Sequence, residues 1–252
     1  MSLFSKLFEK NTESPQSAKA NETTPPARST EDLRNDPNYI RVFDSFGREL
    51  FITKEQWRTG SLPDALKSNW NNPDRLYDVI VMALRDSFFV DIVQAAEHLH
   101  QTDTIASRGA TIYGIVLMKM NRLNEAEEVF HSYLRAHGDD GAVLTNLAKV
   151  YSARNETQKA EATLWHALEV DPNMENALAW HRAIVRERGG ETADIRELER
   201  LSALPGSWRA QLWLARMALQ SHDLAKALSL YRTGLQHVAR PVPADFLMQV
   251  SV

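Results

Sequence analysis

Apolar residues change their spacing several times along this chain, and each change predicts a different element. Leu3, Phe4, Leu7 and Phe8 recur at helical intervals with Lys6 and Lys10 on the other side, so residues 1–10 read as a short amphipathic segment. Two or three turns are too few to hold a helix alone. Over 11–37 there is no aromatic residue and a single Leu among Pro, Ser, Thr, Asn and Glu, which predicts a disordered linker. At Tyr39 the pattern turns to "YIRVFD" and "ELFIT", β-branched and aromatic, with Gly47 between them able to take a positive φ. Residues 38–72 are therefore expected to form a β-hairpin plus short helices. Thr53 and Gln56 make a capping box, and Pro63 and Pro73 suit first-turn positions of helices near 63–70 and 73–87. Residues 73–106 read as a helical pair that could cap the helices after residue 106. Helical spacing then continues to about residue 238, leaving 239–252 as a C-terminal tail.

Within the helical region the pattern repeats. "NRLNEAEEVF" from Asn121 and "NETQKAEATL" from Asn155 share Asn, Ala and Glu at matching places, 34 residues apart. In a unit starting at Gly141, Leu144, Leu147 and Tyr151 form a stripe along a first helix. Ala148 and Ala160 are small where two antiparallel helices would cross most closely. Leu164 and Ala167 lie along the second helix, and Pro172 stops it. A unit from Ser107 places Tyr113, Gly114, Leu117, Ala126 and Phe130 at the same positions, with Tyr133 oversized and Gly138 in place of the proline. A unit from Trp208 supplies Leu214, Ala215, Ala227, Tyr231 and Gly234. Between them, a unit from Glu175 keeps Leu178 but carries His181, Arg182 and Asp194 at packing positions, with Gly189 and Gly190 at its turn.

This set of residues resembles the tetratricopeptide repeat (TPR), over units 107–140, 141–174, 175–207 and 208–238, the third of them degenerate. The resemblance implies a mainly α fold. It would be a right-handed α-solenoid of TPR-like helix-turn-helix units preceded by a small α+β hairpin module. That module is similar to leader modules of bacterial repeat proteins. Each unit buries its stripe only against its neighbours, so the crossing contact must be rebuilt in every repeat.

Composition narrows the function. The chain has 252 residues, 43% hydrophobic and 25% charged, with a net charge of −4. That balance gives no reason to expect nucleic-acid binding. With no cysteine, disulfides, thiolate zinc sites and cysteine nucleophiles are excluded. No run approaches the roughly 20 apolar residues needed to cross a bilayer and the N-terminus lacks the apolar core of a secretory signal, so a cytoplasmic location is the simplest expectation. His98 and His100 point about 200° apart on a helix and are poorly placed to share a metal. No metal, cofactor or catalytic motif stands out, and Glu125, Glu127 and Glu128 read as a solvated face. The protein is expected not to be an enzyme.

The resemblance also implies a concave groove lined by the second, fifth, ninth, twelfth and thirteenth positions of each unit. Those positions include Arg108, Lys119, Lys149, Arg186, Arg209 and Arg216, against Glu187 as the one acid. Such a surface favours an acidic or carboxylate-bearing peptide. Asn146 beside Lys149 suggests the carboxylate clamp of chaperone-binding members without reproducing all of it. The expected function is a non-enzymatic adaptor binding a protein or peptide segment. Two further readings are an assembly factor recruited to a membrane surface by residues 1–10, and an enzyme's regulatory subunit docking through the hairpin. Trp165, Trp180, Trp208 and Trp213 are either core or groove anchors, and the oligomeric state is open.

Overall fold

Tyr39–Phe43 (β1) and Glu49–Thr53 (β2) pair antiparallel, with Tyr39 opposite Thr53 and Phe43 opposite Glu49. Gly47, at φ 77°, supplies the left-handed residue that the connection needs. The structure, a computed structural model, describes residues 29–43, 46–238 and 240–250, so the amphipathic segment 1–10 and residues 11–28 of the expected linker lie outside it. The chain divides into two compact units at Phe88 and Phe89, which assigns the two helices of the 73–106 segment to different units.

In the first unit, helix α1 (Thr30–Asn35) falls inside the stretch expected to be linker, and that expectation is corrected. Its cause is local: Ser29 and Asp32 form a reciprocal capping box, and Arg34 donates to Glu49 on β2 at 2.6 Å. After β2, Thr53 caps α2 (Lys54–Gln56). A π-helical turn over Trp57–Ser61 then leads into α3 (Leu62–Asn69) and, past Asn72 as N-cap, α4 (Pro73–Arg85). Trp57 is buried and stacks on Phe88 with ring centroids 5.6 Å apart.

The second unit is an α-solenoid of antiparallel helices: α5 (Phe89–Thr102), α6 (Ala106–Lys119), α7 (Leu123–His137), α8 (Gly141–Ala153) and α9 (Thr157–Val170). It continues through α10 (Glu175–Ser202), α11 (Arg209–Gln220), α12 (Leu224–His237) and α13 (Ala244–Val250). Helix α10 is two helices joined across Gly190, whose φ of 68° breaks the run. Helix α13 occupies what was expected to be a tail. That expectation is corrected, because Phe246 packs into a cluster with Trp208, Leu212 and Val238.

One backbone device recurs. Ser87, Asn121, Asn155 and His222 take left-handed φ of 67°, 59°, 61° and 62°. After each, an amide closes a six-residue turn onto the preceding helix: Phe88 to the Ala83 carbonyl, Arg122 to Leu117, Glu156 to Tyr151 and Asp223 to Ala218, all at 2.8–3.0 Å. This is the Schellman stop, which satisfies orphaned helix carbonyls but needs a residue that tolerates positive φ. Asn121 and Asn155 recur because asparagine is the non-glycine residue that tolerates it best. Ser87 makes the same stop at the end of α4. Leu76, Ile80 and Ala83 of α4 are buried in the first compact unit, and Ile92, Ala96 and Leu99 of α5 in the second.

Asn155→Gly is expected to leave stability nearly unchanged or raise it slightly. Asn155→Val should cost about 1–2 kcal/mol, since a β-branched residue is forced to positive φ. Urea denaturation of both variants measures the difference, and equal midpoints would contradict the left-handed turn.

The packing positions are filled tightly. Tyr113, Gly114, Ala126, Phe130, Leu147, Ala148, Tyr151, Ala160, Leu164, Ala215 and Ala227 are buried, and Tyr231 is half-buried against the Phe246 cluster. Pro172, also buried, follows the end of α9 at Val170. A larger cluster joins Ala148, Leu164 and Leu168 to Ala177, Leu178, Leu198, Leu201, Ala210 and Leu214, running across three units.

Candidate functional site

The first helices of the repeats are α6, α8, the first half of α10, and α11, and the candidate groove residues sit on them. At α6 and α8 the structure brings Lys119 and Lys149 together. Burial pushes the Lys149 ammonium below its usual range, and the Lys119 charge pushes it the same way. The Lys149 Nζ donates to Asn146 Oδ1 at 3.0 Å, and the Asn146 amide in turn donates to the Ala142 carbonyl at 2.9 Å. Asn146 is thereby held as a fixed acceptor for the ammonium.

Farther along, Arg182, Arg186, Asp194, Trp213 and Arg216 form one cluster. Arg182 donates two parallel bonds of 2.9 Å to Asp194, whose side chain is 1% exposed, and Arg186 approaches the same carboxylate at 3.8 Å. The Arg182 guanidinium also lies 4.2 Å from the Trp213 ring centre, and that of Arg216 lies 5.5 Å from it. Three guanidiniums thus surround one carboxylate and one indole.

Arg182, Asp194 and Trp213 were not among the residues expected to make a site. The signal was present in the degenerate unit: Arg182 and Asp194 occupy the positions of Ala148 and Ala160, twelve residues apart in both cases. A cation and a carboxylate replacing two crossing alanines are each other's partners. His181 follows the same logic, with Nε2 2.8 Å from Glu197 Oε1 and its ring against Trp165.

Two candidates are corrected. Arg108 is engaged by Asp103 through bonds of 2.7 and 2.8 Å, and the Asp103 side chain is fully buried. Arg209 is buried, donates to the Asn173 carbonyl at 2.6 Å, lies 3.6 Å from Glu175 and stacks over Trp208. Both arginines stand second in their units: Arg108 reaches back to the loop before its own helix, and Arg209 reaches past that loop to the one before α10. Each ties its unit to what precedes it.

Trp208 is buried, while Trp165, Trp180 and Trp213 are half-buried against the large core cluster. A cavity of about 360 Å³ opens beside Trp180 and is lined by Ser152, Glu161, Ile184 and Arg188 as well. Glu161 and Arg188 are ion-paired at its edge. Among the described residues, no group of three or more His, Asp or Glu is arranged to hold a metal ion, and no helix is long and apolar enough to cross a membrane.

Residues 117–183 match the family model of the tetratricopeptide repeat, and the chain carries these repeats. Among solved structures it is similar to MamA, at 15% identity and TM-score 0.38, covering 62% of this chain and 92% of that one. It is also similar to yeast Tom70, at 18% identity and TM-score 0.49, covering 79% of this chain and 42% of that one. A third is YrrB, described as a TPR protein with an unusual peptide-binding site, at 16% identity and TM-score 0.39, covering 76% and 98%. No curated protein matches the chain.

Proposed function

We propose that this protein is a non-enzymatic adaptor that binds an acidic peptide or protein segment along the first helices of its repeats. The repeat family supports an interaction role in general. The observation that carries the finer reading is the gathering of cations on α6, α8, α10 and α11 in a chain of net charge −4. Lys119 and Lys149 repel each other and Lys149 is partly desolvated, so a carboxylate brought between them would be stabilised by both. At the other end, Arg186 and Arg216 add charge beyond what Asp194 balances. A segment with carboxylates at both ends of this row would engage both groups.

Lys149→Glu with Arg216→Glu is expected to abolish capture of a biotinylated poly-glutamate peptide while leaving the far-ultraviolet circular dichroism unchanged. Reversing the charges adds repulsion to the lost attraction. Raising salt should weaken the wild-type interaction in the same direction, because exposed charges are screened over about 8–10 Å at ordinary ionic strength. Normal capture by the double variant at low salt would rule the groove out as the electrostatic site. The hairpin would then be tested, where Phe46 is 82% exposed beneath the guanidinium of Arg48.

A further inference from the structure

The last repeat ends differently from the inner ones. In the inner repeats the second helix turns one face toward the first helix of the next unit, and that face is filled. Leu168 of α9 is fully buried against Ala177 and Leu178 of α10. Glu127 of α7 pairs with Arg154 of the next unit, and Glu161 of α9 pairs with Arg188 of the next. On α12 the corresponding positions are Leu235, in place of Leu168, and Leu228, in place of Glu127 and Glu161. Leu224, Leu228 and Leu235 are 64%, 67% and 46% exposed. At 100° per residue the three lie within about 40° of one another, so they form one stripe. Helix α13 does not cover them, because its Phe246 packs toward Trp208 and Leu212 instead.

A terminal repeat normally presents a polar outer face. Here the repeat-to-repeat interface continues outward as leucine, which sets the shape of what would cover it: another helix, laid as the first helix of an additional unit. Charge selects the kind of helix. On helix α12 Arg232 sits beside the stripe, Lys226 and His237 lie on the opposite side, and there is no Asp or Glu. From Trp208 onward the chain has five Lys or Arg against Asp223 and Asp245 alone. A second copy of this face would oppose like charges. The chain's own residues 1–10 bring Lys6 and Lys10 against the single acid Glu9. Neither is complementary.

We propose that the α12 face docks an amphipathic helix of a partner protein, apolar on one side and acidic beside it. The probe is a synthetic helical peptide with leucines at i, i+3, i+4, i+7 and i+11 and glutamates flanking them, followed by fluorescence anisotropy with the full chain. Saturable binding is expected, weakened at least about tenfold by Leu228→Glu or Leu235→Glu. A version of the peptide with lysines for glutamates should bind at least about tenfold more weakly. Both leucines are exposed, so these variants should fold as the wild type does, which circular dichroism checks. The Lys149→Glu, Arg216→Glu variant should bind the helical peptide normally, which separates this site from the groove. Absence of binding, or binding indifferent to Leu228→Glu, overturns the proposal. So does self-association of the full chain that Leu228→Glu abolishes, which would make a second copy the occupant. Peptide binding that appears only after deletion of residues 1–28 overturns it too, since the chain's own segment would then hold the face.

Discussion

Asp194→Ala is expected to destabilise the second unit by about 3–5 kcal/mol, the usual cost of removing one partner from a buried ion pair. Arg182 would remain at the helix crossing with its two 2.9 Å bonds gone and only the Trp213 ring beside it. Much of the penalty is the uncompensated charge rather than the lost bond, and this makes a second experiment decisive. Arg182→Ala combined with Asp194→Ala would recreate the alanine pair that Ala148 and Ala160 form in one repeat and Ala215 and Ala227 in another. The double variant should therefore be more stable than Asp194→Ala alone, although it has lost more side chain. Because repeats unfold with partial independence, amide exchange along α10 is the better measure, with urea denaturation as the global check. A cost below about 1 kcal/mol for the single variant would mean that water reaches the pair and that it behaves as a surface bridge.

That pair also marks where the sequence stops being easy to read. The stripe of Leu144, Leu147 and Tyr151, the small residues Ala148 and Ala160, and the turn at Asn155 follow from spacing, because packing and backbone geometry dictate residue types one position at a time. The unit from Glu175 is obscure for the opposite reason. Its crossing depends on two residues that are each wrong alone and right together, and the pairing shows only when the twelve-residue offset of the other repeats is imposed. Helix α1 was missed because its capping box, Ser29 and Asp32, lies in a stretch whose composition argues for disorder. Its anchor, Glu49, comes from a strand fifteen residues later. The candidate site was legible as a row of cations on the first helices. What sequence could not separate was Lys149, which faces another lysine, from Arg108, which is bound to the loop before its own helix, and Arg209, which is bound to the loop before α10. All are basic residues on the same helix faces, and only the three-dimensional partner distinguishes them.

Gly114→Ala is the second change expected to have a large effect, and its direction runs against helix propensity. In the middle of α6 alanine would ordinarily gain up to about 1 kcal/mol over glycine. Here a Cβ at Gly114 would lie 2.2 Å from Cζ of Phe130 and 2.4 Å from its Cε1, inside any allowed contact. Phe130 is fully buried and has nowhere to swing, so the ring or the helix must move. Overpacking of this kind costs about 1–3 kcal/mol, and the net effect should be a clear loss. The neighbouring repeat shows the remedy, since at the same two positions it has Ala148 facing Leu164. Phe130→Leu alone should also destabilise, by leaving a cavity above Gly114. Combined, Gly114→Ala and Phe130→Leu transplant the neighbour's pair, and the double variant should recover most of what either single change loses. A double-mutant cycle by urea denaturation should give a coupling of at least about 1 kcal/mol in favour of the pair. Additive losses would mean that the two residues do not touch and that the helix crossing between α6 and α7 is set by something else.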